Sequence, residues 1–172
     1  MESLINGIIN IFSGLISMKF GKELIVFIIS LLPLLELRGG LIAASLLQLN
    51  PLTGYIVSII GNIIPVPFIL LFINKILEWM RNSKVKWLNK VAKWLDKKAN
   101  KNKSKIEKYG YLGLVLFVGI PLPGTGAWTG CLAASVLEMD KKKSFFSVML
   151  GVLMASIIMM IISYGILGNL IK

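Results

Sequence analysis

Hydrophobic and polar positions alternate along this chain in three ways. From Met1 to Phe20, Ile5, Ile8, Ile9, Phe12, Leu15 and Ile16 recur at helical spacing opposite Asn6, Asn10, Ser13 and Ser17. That spacing predicts an amphipathic helix lying in a membrane interface, with a first full span as the alternative. Leu52 to Leu77, although interrupted by Asn62, Pro65 and Pro67, and Ser144 to Leu170 exceed the roughly 20 residues that a crossing needs, so each predicts a transmembrane helix. Between these elements lie two apolar stretches, 24–49 and 111–139, that are long in total but broken in the middle. The first is broken by Pro33-Leu34-Leu35-Glu36-Leu37-Arg38-Gly39-Gly40 and the second by Pro121-Leu122-Pro123-Gly124-Thr125-Gly126-Ala127-Trp128-Thr129-Gly130. An arm of nine to twelve residues rises about 14–18 Å, half of a hydrocarbon core near 30 Å, so neither arm of the first stretch crosses alone.

The two halves repeat. Sliding the sequence by 90 positions without a gap pairs Leu24, Phe27, Leu32, Pro33, Gly40, Ala43, Ala44, Ser45, Leu47 and Gly61 with identical residues, ten identities in 38 positions. Apolar composition explains matched leucines but not a proline, two glycines and Ala-Ala-Ser in one register. Residues 1–80 therefore form one repeat and 81–172 a second, each a surface helix, a broken segment and a span.

Charge orients them. Of the net +11, Arg81 to Lys108 carries +9, from eleven Lys or Arg against Asp96 and Glu107. Within 83–108, Val85, Leu88, Val91, Ala92, Leu95 and Ala99 recur at helical spacing beside Trp87 and Trp94, a basic amphipathic helix suited to anionic headgroups on the cytoplasmic surface rather than to nucleic acid. If each broken segment were a full crossing, Lys141–Lys143 would face away from this linker, against the positive-inside rule. If each is a re-entrant hairpin, both basic segments share one face. The expected fold is thus an all-α integral membrane protein of two inverted repeats, the arrangement of secondary transporters.

Composition narrows the chemistry. With 56% hydrophobic residues and a mean hydropathy of +0.79 the class is a multi-pass membrane protein. Histidine is absent and Cys131 is the only thiol, which removes disulfides, Cys/His zinc sites and imidazole-dependent catalysis, so no enzyme activity, metal or cofactor is expected. Glu36 and Arg38 are the candidate chemistry, because ionisable groups at membrane depth cost at least about 2.5–3.5 kcal/mol each on insertion scales and mark substrate or ion paths. Glu36 suits proton coupling and Arg38 the forked recognition of a phosphate, or the two neutralise each other. Gly39 and Gly40 complete that turn. Pro123, Gly124, Thr125 and Gly126 offer amides to an anion or carbonyls to a cation, or simply a tight turn. Trp128 stacks on substrate or packs at the tip, and Asn62 serves the site or bonds helix to helix.

The Glu36-Leu37-Arg38-Gly39-Gly40 turn, the Pro121-to-Trp128 turn, the length and the basic linker resemble the small multidrug export protein family and, more distantly, the DedA or VTT-domain superfamily. The resemblance implies facing re-entrant hairpins and transport across the bacterial cytoplasmic membrane. DedA-like proteins are associated with undecaprenyl phosphate and related lipids and use acidic and basic hairpin residues, a requirement that Glu36 and Arg38 match. The second turn departs from it, with Thr125, Gly126 and Ala127 where those proteins commonly carry an arginine. The function expected is export of an amphipathic or phosphate-bearing, lipid-like substrate, proton-coupled through Glu36. An energy-independent lipid scramblase and a structural or pore protein are the alternatives. Two spans are few for a sealed path, which leads to the expectation of a homo-oligomer such as a dimer.

Overall fold

A computed structural model of the chain describes residues 2–16, 18–83, 89–90, 93, 97, 109–122 and 124–167. Most of the basic linker helix expected at 83–108, Pro123 and the end of the last span lie outside the described residues. All regular structure among them is helical: α1 (Glu2–Ile11), α2 (Ser13–Ile16), α3 (Gly21–Leu31), α4 (Glu36–Leu46), α5 (Pro51–Ile63), α6 (Pro65–Asn82), α7 (Tyr109–Gly119), α8 (Ala127–Val136) and α9 (Lys141–Met160), which continues as a π-helix over Ile161–Leu167. Pro51–Met80 and Lys141–Gly165 are long and apolar enough to cross a membrane. Pro65 only interrupts the first of them. Ile64 remains in the α region, its amide still bonded to the Ile60 carbonyl at 3.1 Å, so the proline's missing N–H costs one bond and the helix goes on.

The N-terminal segment is two helices divided at Phe12, and its apolar face rests on protein. Ile5 is buried, Ile9, Phe12 and Ile16 pack on the core, and Asn6 and Gly7 are exposed. The periodicity located this face, but the segment packs against α3 and α4.

Both broken stretches fold as helical hairpins, and their second arms end alike. Leu49 N–H donates to Ala44 O (2.9 Å) and Gln48 N–H to Ser45 O (3.0 Å), with Gln48 at φ +52°. Ninety residues on, Met139 N–H donates to Ala134 O (2.9 Å) and Glu138 N–H to Ser135 O (3.1 Å), with Glu138 at φ +53°. Each is a Schellman cap closed by a residue other than glycine in the left-handed region. The next helix begins at once in both halves. Asn50 accepts from Leu52 N–H and Asp140 from Lys143 N–H, at 3.0 and 2.9 Å.

The first arms match in a different register. A Cβ added to Gly61 would lie 2.9 Å from the Phe27 carbonyl and 2.8 Å from Ser30 Cβ, whereas one on Gly151 would lie 2.9 Å from the Val115 carbonyl and 2.6 Å from Val118 Cβ. Phe27 to Val115 and Ser30 to Val118 are 88 residues, not 90. Burial agrees: Ile25, Val26, Ile29 and Ser30 are buried, as are Gly113, Leu114, Phe117 and Val118. The second turn is two residues longer, so the pairings of Leu24 and Phe27 with Leu114 and Phe117 do not correspond in packing, while those from Gly40 onward do.

Contacts along the helices give their directions. Lys22 Nζ donates to Leu47 O at 2.9 Å, which closes the open end of the first hairpin beside the start of α5. Along α5, Gly54 sits at Ala44, Ser58 at Gly40, and Asn62 shares a void with Glu36. The helix then runs on, and Asn74 Nδ2 in α6 reaches Ser135 O, near the open end of the second hairpin, at 3.4 Å. α9 takes the reverse course. It starts at that second open end, where Asp140 N–H bonds Tyr111 Oη at 3.2 Å. It passes Tyr55, whose hydroxyl lies 2.9 Å from Ser156 Oγ. The π-helix closes it beside the first open end, where its Ser163 carbonyl accepts from Ser45 Oγ at 2.8 Å.

Candidate functional site

The two turns interlock. Glu36 opens α4 with φ +50°, a left-handed conformation that an acidic side chain adopts at a cost, and is 5% exposed. Its carboxylate crosses to the first turn of α8, where Oε2 accepts from Ala127 N–H at 2.9 Å and Oε1 from Trp128 N–H at 3.1 Å. A helix start leaves such amides without intrahelical partners and carries partial positive charge, so a carboxylate satisfies both needs at once.

Arg38, one turn-step further and 8% exposed, reaches the other broken end. Nη1 donates to Leu122 O, and Nη2 to Thr125 Oγ1 at 2.8 Å and Ile120 O at 3.3 Å. These carbonyls follow the end of α7, where partial negative charge accumulates. Thr125 is itself held, with Oγ1 within 2.9 and 2.8 Å of the Ile120 and Leu122 carbonyls. Two opposite charges from one turn thus cap the two opposite dipole ends of the other.

Gly126 makes the approach possible. Its φ of +140° with ψ of −173° belongs to a region essentially restricted to glycine, and an added Cβ would overlap the Glu36 carboxylate, 2.7 Å from Cδ. Behind the interlock a void of about 10 Å³ is lined by Glu36, Arg38, Asn62, Val118, Gly126 and Val152, among others. That is room for about one water molecule. Asn62 is 2% exposed and lines this space, and its Oδ1 has no hydrogen-bond partner among the described residues.

The remaining candidates are placed as follows. Gly39 and Gly40 lie on buried faces of α4, Gly39 against the Leu35 and Ile29 side chains and Gly40 between Ser30 and Ser58. Trp128 joins the site through its backbone amide; its indole is partly buried against the core, with Nε1 unpartnered among the described residues. Gly124, at φ +83°, is exposed on the turn. Three partners went unnoticed in the sequence: the Ala127 amide, and the Ile120 and Leu122 carbonyls. Backbone groups leave no residue signature, but a signal existed, because the 90-residue offset sets Gly126 opposite Glu36. Ser30 and Ser58 were missed as well, although Ser58 and Asn62 stand at i, i+4 in an apolar run.

Fold and site together define an all-helical membrane protein in which one charged turn caps the broken helix of a second hairpin. The chain belongs to the family of small multi-drug export proteins, whose model matches residues 36–158, beginning at Glu36 itself. No curated protein and no solved structure matches the chain.

Proposed function

We propose that this protein is a multi-pass exporter of the bacterial cytoplasmic membrane, built from two inverted repeats whose re-entrant hairpins meet near the midplane and are latched by Glu36 and Arg38. The observation that carries the reading is the interlock, in which ionisable groups at mid-helix depth close the two tips against each other. Depth is supported by the level of Asn62, eleven residues beyond Pro51, or about 17 Å along a helix against a core of about 30 Å. Inversion is supported by the opposite courses of α5–α6 and α9 between the two open ends. The basic linker and Lys141–Lys143 then share the cytoplasmic face, and the linker rests on anionic headgroups.

The tips leave no passage for a substrate while latched, so export requires them to part. Protonating Glu36 removes the negative charge that the α8 amides hold, and an anionic group presented to Arg38 competes with the α7 carbonyls. Either event weakens the latch, and together they couple a proton to an amphipathic or phosphate-bearing substrate. The chain works as a homo-oligomer, which supplies the enclosure that two spans lack.

Proteoliposomes test this with ethidium as an aromatic cation and a nitrobenzoxadiazole-labelled phosphatidylglycerol as a lipid. Movement of either probe that depends on a pH gradient and is lost in Glu36→Gln supports the exporter. Lipid equilibration without a gradient identifies a scramblase instead. Wild-type movement of both probes by Glu36→Gln and Arg38→Ala would remove the latch from the mechanism.

A further inference from the structure

Two lateral grooves lie between the long helices, one near each end of the molecule. The first, about 370 Å³, is lined by Pro67, Leu70, Leu71, Phe145 and Phe146 with Lys141 and Lys142. The other, about 430 Å³, is lined by Pro51, Leu52, Tyr55, Ile157, Met160 and Ile161. They are counterparts: adding 90 to Pro51, Leu52, Tyr55, Pro67, Leu70 and Leu71 gives Lys141, Lys142, Phe145, Ile157, Met160 and Ile161. Apolar walls of the same origin therefore occur twice, but only one groove carries cations. Where it has Lys141 and Lys142, its counterpart has Pro51 and Leu52.

We propose that the lysine-bearing groove is a binding site for an anionic phospholipid of the leaflet on that side. Its walls are hydrocarbon on both helices, and Leu71 and Phe146 are 51% and 66% exposed. That accepts an acyl chain. The two ammonium groups stand at the first turn of α9, at the interface end of a spanning helix, where a phosphate resides. Neither lysine is in an ion pair among the described residues. Asp140 is turned onto the Lys143 amide, and Lys143 Nζ lies 5.8 Å from the centre of the Tyr111 ring, leaving Lys141 and Lys142 to the groove. The uncharged counterpart serves as an internal comparison, for shape alone would fill both grooves, whereas a phosphate selects one. The proposal rests on the membrane embedding of the chain and not on export.

Native mass spectrometry of the full chain in detergent, titrated with dioleoyl phosphatidylglycerol or dioleoyl phosphatidylcholine, tests it without a transport readout. Phosphatidylglycerol is expected to bind more tightly than phosphatidylcholine, and Lys141→Gln/Lys142→Gln to weaken it by about 30-fold at low salt, two lysines at about 1 kcal/mol each. Lys143→Gln is expected to leave it within about two-fold. Leu52→Lys, which gives the counterpart groove its missing cation, is expected to add a second retained phosphatidylglycerol. Equal affinity for the two lipids, an unchanged affinity in the double variant, or occupation of the groove by a second copy of the chain, seen as a dimer that the double variant abolishes, overturns the proposal. Because the readout is lipid retention, its failure leaves the exporter reading standing, and failed transport leaves the lipid site standing.

Discussion

Replacing Gly126 by alanine should break the interlock, and Glu36 should decide by how much. The new methyl group needs the space that the carboxylate fills, so Glu36 must withdraw from Ala127 and Trp128. Two hydrogen bonds to a charged acceptor at about 1.5–3 kcal/mol each make this loss roughly 3 kcal/mol or more. Forcing alanine into the backbone conformation of Gly126 adds about 1–3 kcal/mol. In a Glu36→Ala background only the backbone cost remains, because the carboxylate is gone before the methyl arrives. The two substitutions are therefore expected to be non-additive by roughly 3 kcal/mol, well above the 0.3–0.5 kcal/mol scatter of independent sites. Equilibrium unfolding of the four proteins in mixed dodecylmaltoside and dodecyl sulfate micelles measures the cycle. Amide hydrogen exchange at Ala127 and Trp128 should rise in both single variants and no further in the double one. Additivity within 0.5 kcal/mol, or unchanged exchange in Glu36→Ala, would show that the carboxylate does not hold these amides.

Other outcomes follow from the same contacts. Gly40→Ala should destabilise the first hairpin by about 1–3 kcal/mol, since a methyl there overlaps Ser30 Oγ and lies 2.8 Å from Ser58 Oγ. Adding Ser30→Ala should recover part of that loss in the same unfolding assay, because the Ser30 hydroxyl only donates back to Val26 O. Asn62→Val installs the residue that stands ninety positions on, Val152, and removes a buried acceptor that has no partner among the described residues. Stability should hold or rise by up to about 1–2 kcal/mol while probe export falls, and full export in that variant would make Asn62 a packing residue only. In a Cys131→Ser background, cysteines placed at Lys142 and Lys90 should react with a membrane-impermeant thiol reagent from one side and a cysteine at Gln48 from the other; labelling of Lys142 and Lys90 from opposite sides would overturn the inverted arrangement.

What the sequence alone determined is what depends on local physics. The two spans follow from apolar runs longer than a crossing needs. The hairpin breaks follow from proline and glycine, and the unusual cost of Glu36 and Arg38 from two charges in an apolar stretch. From Gly40 onward the 90-residue offset carries over to the matching caps at Gln48 and Glu138, because the second arms keep a fixed spacing.

Tertiary structure decided the rest, since those features depend on contacts about 90 residues apart. An ungapped offset could not register two extra residues in the second turn, because apolar arms tolerate a shift that leaves leucine against leucine. Glu36 and Arg38 read as a pair with each other or as ligands for a substrate. Apart from the Thr125 hydroxyl, the groups they bond across the interlock are backbone amides and carbonyls at the ends of α8 and α7, which every residue carries and no sequence pattern marks. The small residue that admits them, Gly126, gains its meaning only when the carboxylate of the other hairpin occupies the place of its missing side chain.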